Sequence, residues 1–194
     1  KELPKGLNVT IPYKKEVIPF LNNLSKEAKV INAVNTIVWD KNGKTTGHNT
    51  DHTGFEKSLL ELIDKPLKRA LILGTGGASG AIKYVLDKLQ CQAIFVSRTP
   101  QKKQLSYAAL NKAEIERTDL IINTTPLGTF PDIDECPPIP YQWINKDHLL
   151  FDLTYNPEET LFLKKGKKEG AKVSNGSKML LYQAEKAWEL WNIN

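Results

Sequence analysis

The run Ala70-Leu71-Ile72-Leu73-Gly74-Thr75-Gly76-Gly77-Ala78-Ser79 constrains the fold of this chain more than any other. Its apolar start suits a strand buried on both faces, and the pattern after the glycines predicts a helix over roughly 78–89. A second apolar strand, Ala93-Ile94-Phe95-Val96, follows. Strand, glycine turn, helix and strand make a βαβ unit, whose strands lie parallel. Gly74 allows a tight turn and Gly76 lets the backbone approach a pyrophosphate. The helix N-terminus then offers free N–H groups and a favourable dipole. Gly74, Gly76, Gly77, Ala78 and Ser79 are therefore candidate dinucleotide-binding residues, with Ser79 in the third position of G-x-G-x-x-G.

The end of the second strand discriminates between dinucleotides. An acid there, about 20 residues past the glycines, would bind a ribose 2′-hydroxyl. This chain has Ser97-Arg98-Thr99, then Lys102 and Lys103. A guanidinium forks onto a 2′-phosphate and a hydroxyl adds a hydrogen bond, so Arg98 and Thr99 favour NADP over NAD. Asn123-Thr124-Thr125-Pro126-Leu127-Gly128 follows a further apolar strand. Such a loop lines the ligand crevice at the carboxyl edge of a parallel sheet, although plain turn chemistry explains Pro126 and Gly128 equally well.

Around this unit the pattern reads α/β. Tyr13–Leu24 carries Val17, Ile18, Leu21 and Leu24 at helical spacing, with Pro19 kinking or shifting the helix. Ala33–Trp39 predicts a strand and Asp40–Lys44 a hairpin turn through Asn42-Gly43. Thr53-x-x-Glu56 suggests a capping box opening the next helix. Asp64-Lys65-Pro66 is the best domain boundary. Later strands are expected at Leu120–Ile122, Leu149–Asp152 and Ala171–Val173, and the segment 98–119 is too short for a full strand and crossover helix. Residues 129–141 read as a surface loop. A final helix, Ser177–Trp191, would set Leu180, Ala184, Ala187, Trp188 and Trp191 in the core.

Composition excludes several classes. With 194 residues and 40% hydrophobic content the chain can build a core as one large or two small domains. No apolar run approaches the ~18 residues of a membrane span. Cys91 and Cys136 stand alone, without a C-x-x-C or a histidine cluster, so neither a disulfide framework nor a metal site is expected. The net charge of +5 comes from dispersed lysines, which suits a solvated surface or an anionic small ligand better than nucleic acid. The opening Lys1-Glu2-Leu3-Pro4-Lys5 has neither an initiator Met nor the apolar stretch of a signal peptide. The reading is a cytoplasmic protein lacking its natural start.

Two further segments carry candidate chemistry. Asn8-Val9-Thr10-Ile11-Pro12-Tyr13-Lys14 supplies a lysine and Asn49-Thr50-Asp51 an aspartate. Reducing a ketone requires a hydride at carbon and a proton at oxygen. Lysine can be the acid where partial burial draws its pKa toward neutrality, with a carboxylate to orient it. Taken alone, Lys14 reads as a first-turn helix lysine and Asp51 as an N-terminal helix cap.

The motifs together resemble shikimate dehydrogenases. The family carries N-V-T-x-P-x-K, A-V-N-T, N-T-D, G-x-G-G-A-S, a basic R-T pair, N-T/S-x-P-x-G, D-x-x-Y-x-P-x-x-T and G-x-x-M-L-x-x-Q. All appear here in order, the last two as Asp152–Thr160 and Gly176–Gln183. The resemblance implies a Rossmann-like parallel-sheet domain over 65–175. It also implies a smaller α/β substrate-binding domain over 1–64, completed by the helix at 176–194. Lys14 would be the general acid/base and Asp51 its partner. Thr10, Asn35, Tyr155 and Gln183 would bind substrate, and Gly74, Gly76, Gly77, Ala78, Ser79, Arg98, Thr99 and Thr124 would hold NADP. The implied reaction is reversible NADPH-dependent reduction of 3-dehydroshikimate to shikimate, in aromatic amino-acid biosynthesis, by a monomer or homodimer with no metal, membrane or nucleic-acid partner. Alternatives are a quinate/shikimate dehydrogenase and a non-catalytic NADP-binding fragment. The chain departs from the pattern in three places. The family's early segment, with two hydroxyl residues for the substrate carboxylate, has no counterpart. Thr129 replaces a usual Met, and Gly80 a frequent basic residue.

Overall fold

The computed structural model describes residues 4–192. Two sheets organise it. The smaller contains β1 (Gly6–Asn8), β2 (Asn23–Leu24), β3 (Thr36–Trp39) and β4 (Thr45–His48), in the order β1-β3-β4-β2. β3 pairs antiparallel with β1 and β4, while β2 runs parallel to β4. The hairpin forms as the Asn-Gly pair predicts: Gly43 adopts φ 75°, and Asp40 Oδ1 accepts from the N–H groups of Asn42 and Lys44, both at 2.8 Å. Helix α1 (Lys26–Ile31) is capped by Ser25, whose hydroxyl accepts from the Ala28 N–H. Helix α2 (Asp51–Leu60) follows β4.

The larger sheet is wholly parallel. It comprises β5 (Arg69–Leu73), β6 (Gln92–Ser97), β7 (Leu105–Ser106), β8 (Leu120–Asn123), β9 (Leu149–Asp152) and β10 (Lys172–Ser174). Its order is β10-β9-β8-β5-β6-β7. The chain winds from β5 through β6 to β7, then crosses to β8 and winds outward the other way. That reversal between β5 and β8 is the switch point of a doubly wound, Rossmann-like sheet, where a crevice opens at the carboxyl ends. Helices α3 (Ser79–Lys88), α4 (Lys112–Glu116) and α5 (Leu161–Lys168) make the crossovers. As the shortness of segment 98–119 predicts, β7 has two residues and α4 five.

The fully buried strands β5 and β8 separate two apolar layers. One packs Phe55, Ile72, Ile82, Leu86 and Phe151; the other packs Leu71, Leu73, Ile115, Ile121 and Phe162. Helix α6 (Ser177–Asn192) returns to pack on α2. A Cβ on Gly54 would lie 2.4 Å from the Met179 carbonyl oxygen, so glycine permits this close crossing.

Some expectations need correction. The segment 13–24 is not an α-helix: residues 11–17 are turns, Ile18–Phe20 a 3-10 turn and Asn23–Leu24 a strand. Pro19 lacks the N–H that a helix interior needs. Thr53 does not cap α2, which begins at Asp51; Thr50 is the cap residue but its hydroxyl makes no capping bond. The buried residues of α6 are Met179 and Ala187; of the other residues on the expected stripe, Leu180, Ala184 and Trp188 are exposed. Trp188 is 66% exposed, while Trp191 is half-buried and donates its indole N–H to the Ile37 carbonyl at 3.1 Å. The strand expected over 33–39 begins only at Thr36.

Candidate active site

The glycine turn leaves β5 through Gly74, whose φ of 102° suits only glycine; a Cβ there would lie 2.9 Å from Thr125 Cγ2. The loop after β8 is fastened beside it. Thr124 donates to the Leu73 carbonyl oxygen from its N–H at 3.0 Å and from its hydroxyl at 2.8 Å. Above this switch point lies a cavity of about 820 Å³, lined by Gly76, Gly77, Ala78, Thr124, Thr125 and Tyr155 among others. A Cβ on Gly76 would meet nothing within 4 Å, so the absent side chain leaves space over the N-terminus of α3. Open backbone N–H groups facing a roomy crevice suit a dinucleotide pyrophosphate. Ser79 turns its hydroxyl back to the Gly76 carbonyl at 2.7 Å and holds the turn. Arg98 and Thr99 sit exposed just after β6, at the same sheet edge but outside this lining.

A second cavity, of about 340 Å³, adjoins the first. Thr10, Lys14, Asn35, Asp51, Tyr155 and Gln183 all line it, from segments as distant as β1–β3 and α6. Lys14 Nζ lies 2.6 Å from Asp51 Oδ2, with side-chain exposures of 14% and 8%. The other carboxylate oxygen, Oδ1, accepts from the Asn35 amide at 2.8 Å. Asn35 Oδ1 in turn accepts from the Thr50 N–H at 2.7 Å. A backbone N–H can only donate and an ionised carboxylate can only accept, so these two bonds fix which way the Asn35 amide faces. Gln183 Oε1 stands 3.3 Å from both Asn35 Nδ2 and Thr50 Oγ1. This network occupies the Thr50 hydroxyl, which explains why it does not cap α2.

The turn that carries Lys14 is anchored too. Val34 N–H donates to the Lys14 carbonyl at 2.7 Å, and Val9 N–H to the Asn35 carbonyl at 2.8 Å. Lys14, Ile11, Ala78, Leu153 and Tyr155 line both cavities. An ammonium at the junction can meet an oxygen bound on the polar side while a planar carrier occupies the glycine side.

The sequence alone did not single out Thr50 or Asp152 as site-building residues. Asp152 is fully buried at the end of β9 and accepts from Thr160 Oγ1 at 2.6 Å, the Thr154 N–H at 2.9 Å and Asn123 Nδ2 at 3.1 Å. Burial pushes its carboxyl up, and these three donors oppose the shift. It ties together the loops after β8 and β9 that line the larger cavity. Both residues sit inside motifs the sequence displays, but only their buried polar partners reveal the role. Among the described residues no group of histidine, cysteine and acidic side chains could hold a metal, and no helix is long and apolar enough to cross a membrane.

Comparison with known proteins agrees with this architecture. The family described as "Shikimate dehydrogenase substrate binding domain" matches residues 1–37. The shikimate dehydrogenase (NADP(+)) of Desulforamulus reducens is 40% identical over 207 residues, covering 96% of this chain and 70% of the relative. The shikimate 5-dehydrogenase of Thermus thermophilus, solved with NADP(H) and shikimate, superposes with a TM-score of 0.86 at 31% identity, covering 97% of this chain and 73% of that one. Quinate dehydrogenase from Corynebacterium glutamicum, solved with NAD, gives the same TM-score at 29% identity, covering 97% and 72%. The chain belongs to the shikimate dehydrogenase family.

Proposed function

We propose that this protein catalyses the reversible, NADP-dependent interconversion of 3-dehydroshikimate and shikimate, in the pathway to aromatic amino acids. One observation carries the reading: the Lys14–Asp51 pair stands where a polar cavity meets the crevice over the glycine turn. Residues 1–64 with the helix 176–194 form the substrate-binding part and 65–175 the NADP-binding part. That division is supported by the smaller sheet ending at His48 and the parallel sheet beginning at Arg69.

When bound, the nicotinamide supplies the hydride for the carbonyl carbon. Gly74, Gly76, Gly77, Ala78, Ser79 and Thr124 hold the cofactor along the switch point, and Arg98 and Thr99 take the 2′-phosphate. Thr10, Asn35, Tyr155 and Gln183 orient the polyhydroxylated ring by hydrogen bonds from the second cavity. Lys14 donates a proton from Nζ to the carbonyl oxygen, which becomes the hydroxyl; in the reverse direction its free amine takes that proton back. Asp51 holds the amine in place, and Asn35 holds Asp51.

The reading extends to a cytoplasmic monomer or homodimer without nucleic-acid or membrane partners. Support comes from two free cysteines, which suit a reducing compartment, and size-exclusion chromatography tests the oligomer. The decisive assay follows NADPH absorbance with shikimate and NADP, with quinate and NAD as comparators. Shikimate with NADP is expected to be the preferred pair. In Lys14→Ala turnover is expected to fall by about 10²–10⁴-fold. NADP binding without turnover in the unmodified protein would leave only a nucleotide-binding module.

A further inference from the structure

The glycine turn carries no charge of its own from Gly74 to Gly80. The first turn of α3 has neither an acid nor a base, so the helix N-terminus contributes only about +0.5 of an elementary charge. A dinucleotide pyrophosphate brings two negative charges to this spot. A second cation nearby would complete the balance, and Lys14 is already paired with Asp51.

The smaller cavity on the other side of the turn, about 180 Å³, is lined by Lys15, Gly76, Gly77, Gly80, Phe95 and Gln104 among others. Among the described residues Lys15, Thr75, Gly76 and Gly77 line both this cavity and the 820 Å³ crevice, which puts Lys15 at the boundary between them. Its ammonium makes no ion pair among the described residues. The segment that bears Lys15 and helix α1 both lie close to the glycine turn. A Cβ on Gly77 would lie 3.8 Å from Lys14 Cδ, and one on Gly80 would lie 3.1 Å from the Ile31 carbonyl oxygen of α1.

We infer that Lys15, reaching across from the substrate-binding part, is a cofactor-binding residue that neutralises the pyrophosphate. The inference rests on the NADP reading above and adds a contact between the bound dinucleotide and the turn that bears Lys14. It has a signature that distinguishes it from Arg98. The pyrophosphate is common to NADP and NAD, whereas the 2′-phosphate belongs to NADP alone.

Dissociation constants for NADP and for NAD, measured by titration calorimetry on the protein without substrate, test it. Lys15→Gln keeps the length of an exposed side chain, and circular dichroism checks its fold. Its affinity is expected to fall by about three- to tenfold for both nucleotides, by the same factor. Lys15→Arg is expected to stay within about twofold of the unmodified protein. Arg98→Gln is expected to weaken NADP alone. Unchanged affinities in Lys15→Gln overturn the inference, and so does a loss confined to NADP. An unmodified protein that binds neither nucleotide would instead remove the cofactor reading beneath it.

Discussion

Asn35 shows how one side chain builds this site. It is 4% exposed and joins Asp51, Thr50 and Gln183, so the carboxylate that meets Lys14 is held from its far side. Replacing it by alanine leaves the Thr50 N–H and an Asp51 oxygen buried without that partner, at a cost of about 1–3 kcal/mol. Asn35→Ala is therefore expected to lower the urea midpoint as well as turnover; loss of turnover with an unchanged midpoint would contradict a structural share in the role. Lys14 and Asp51 could be picked out as candidates in the sequence through their motifs. Their 2.6 Å pairing could not, because β2, α1, β3 and β4 separate the partners along the chain.

Among the elements, strand ends do most of the positioning. Asp152 closes β9 and holds the loops after β8 and β9. Asp152→Ala leaves the Thr160 hydroxyl proton and one Asn123 amide hydrogen without their acceptor in a buried layer, and a loss of about 2–4 kcal/mol is expected from denaturant unfolding. A change below about 0.5 kcal/mol would mean the loops hold without it. Helix α6 gives the opposite case. Trp188 faces outward and Trp191 inward, so Trp188→Ser is expected to shift stability by less than about 0.5 kcal/mol. A large loss would restore the core role that the sequence suggested. The helical period was legible there, but the phase of the buried stripe depends on where α2 lies, and Gly54 sets that approach.

Across the molecule, two partly buried histidines, on β4 and α2, also set a pH response. His48 and His52 both have imidazole values held below the ordinary one, chiefly by burial. Glu27 opposes the shift at both, joined at His52 by Glu56 and Asp51, while Lys186 near His48 and Lys88 near His52 reinforce it. His52 packs edge-on against Tyr84, and its Nδ1 has no hydrogen-bond partner among the described residues. A histidine whose folded value is depressed binds fewer protons folded than unfolded. Stability from this source is therefore present above the ordinary value near 6.5 and declines as pH falls below it toward the folded value. Tm is expected to drop between about pH 7.5 and 5.5, less steeply in His52→Gln, a window above the usual carboxylate range. A flat Tm across that window would contradict this assignment.

The parallel βαβ core, the hairpin, the abbreviated stretch after β6 and the family could all be read from the chain alone, because they rest on local periodicity, turn chemistry and motif order. So could Arg98 at the end of β6, where no acid stands to favour NAD. Tertiary packing governs the rest. It unwinds the predicted helix at 13–24 into turns that present Lys14, since backbone hydrogen bonds from distant segments outweigh a short apolar pattern interrupted by Pro19. It also gathers Thr10, Lys14, Asn35, Asp51, Tyr155 and Gln183 around one cavity and sets Lys15 beside the glycine turn. Those contacts arise from packing between elements far apart in the chain, which spacing along a sequence does not encode.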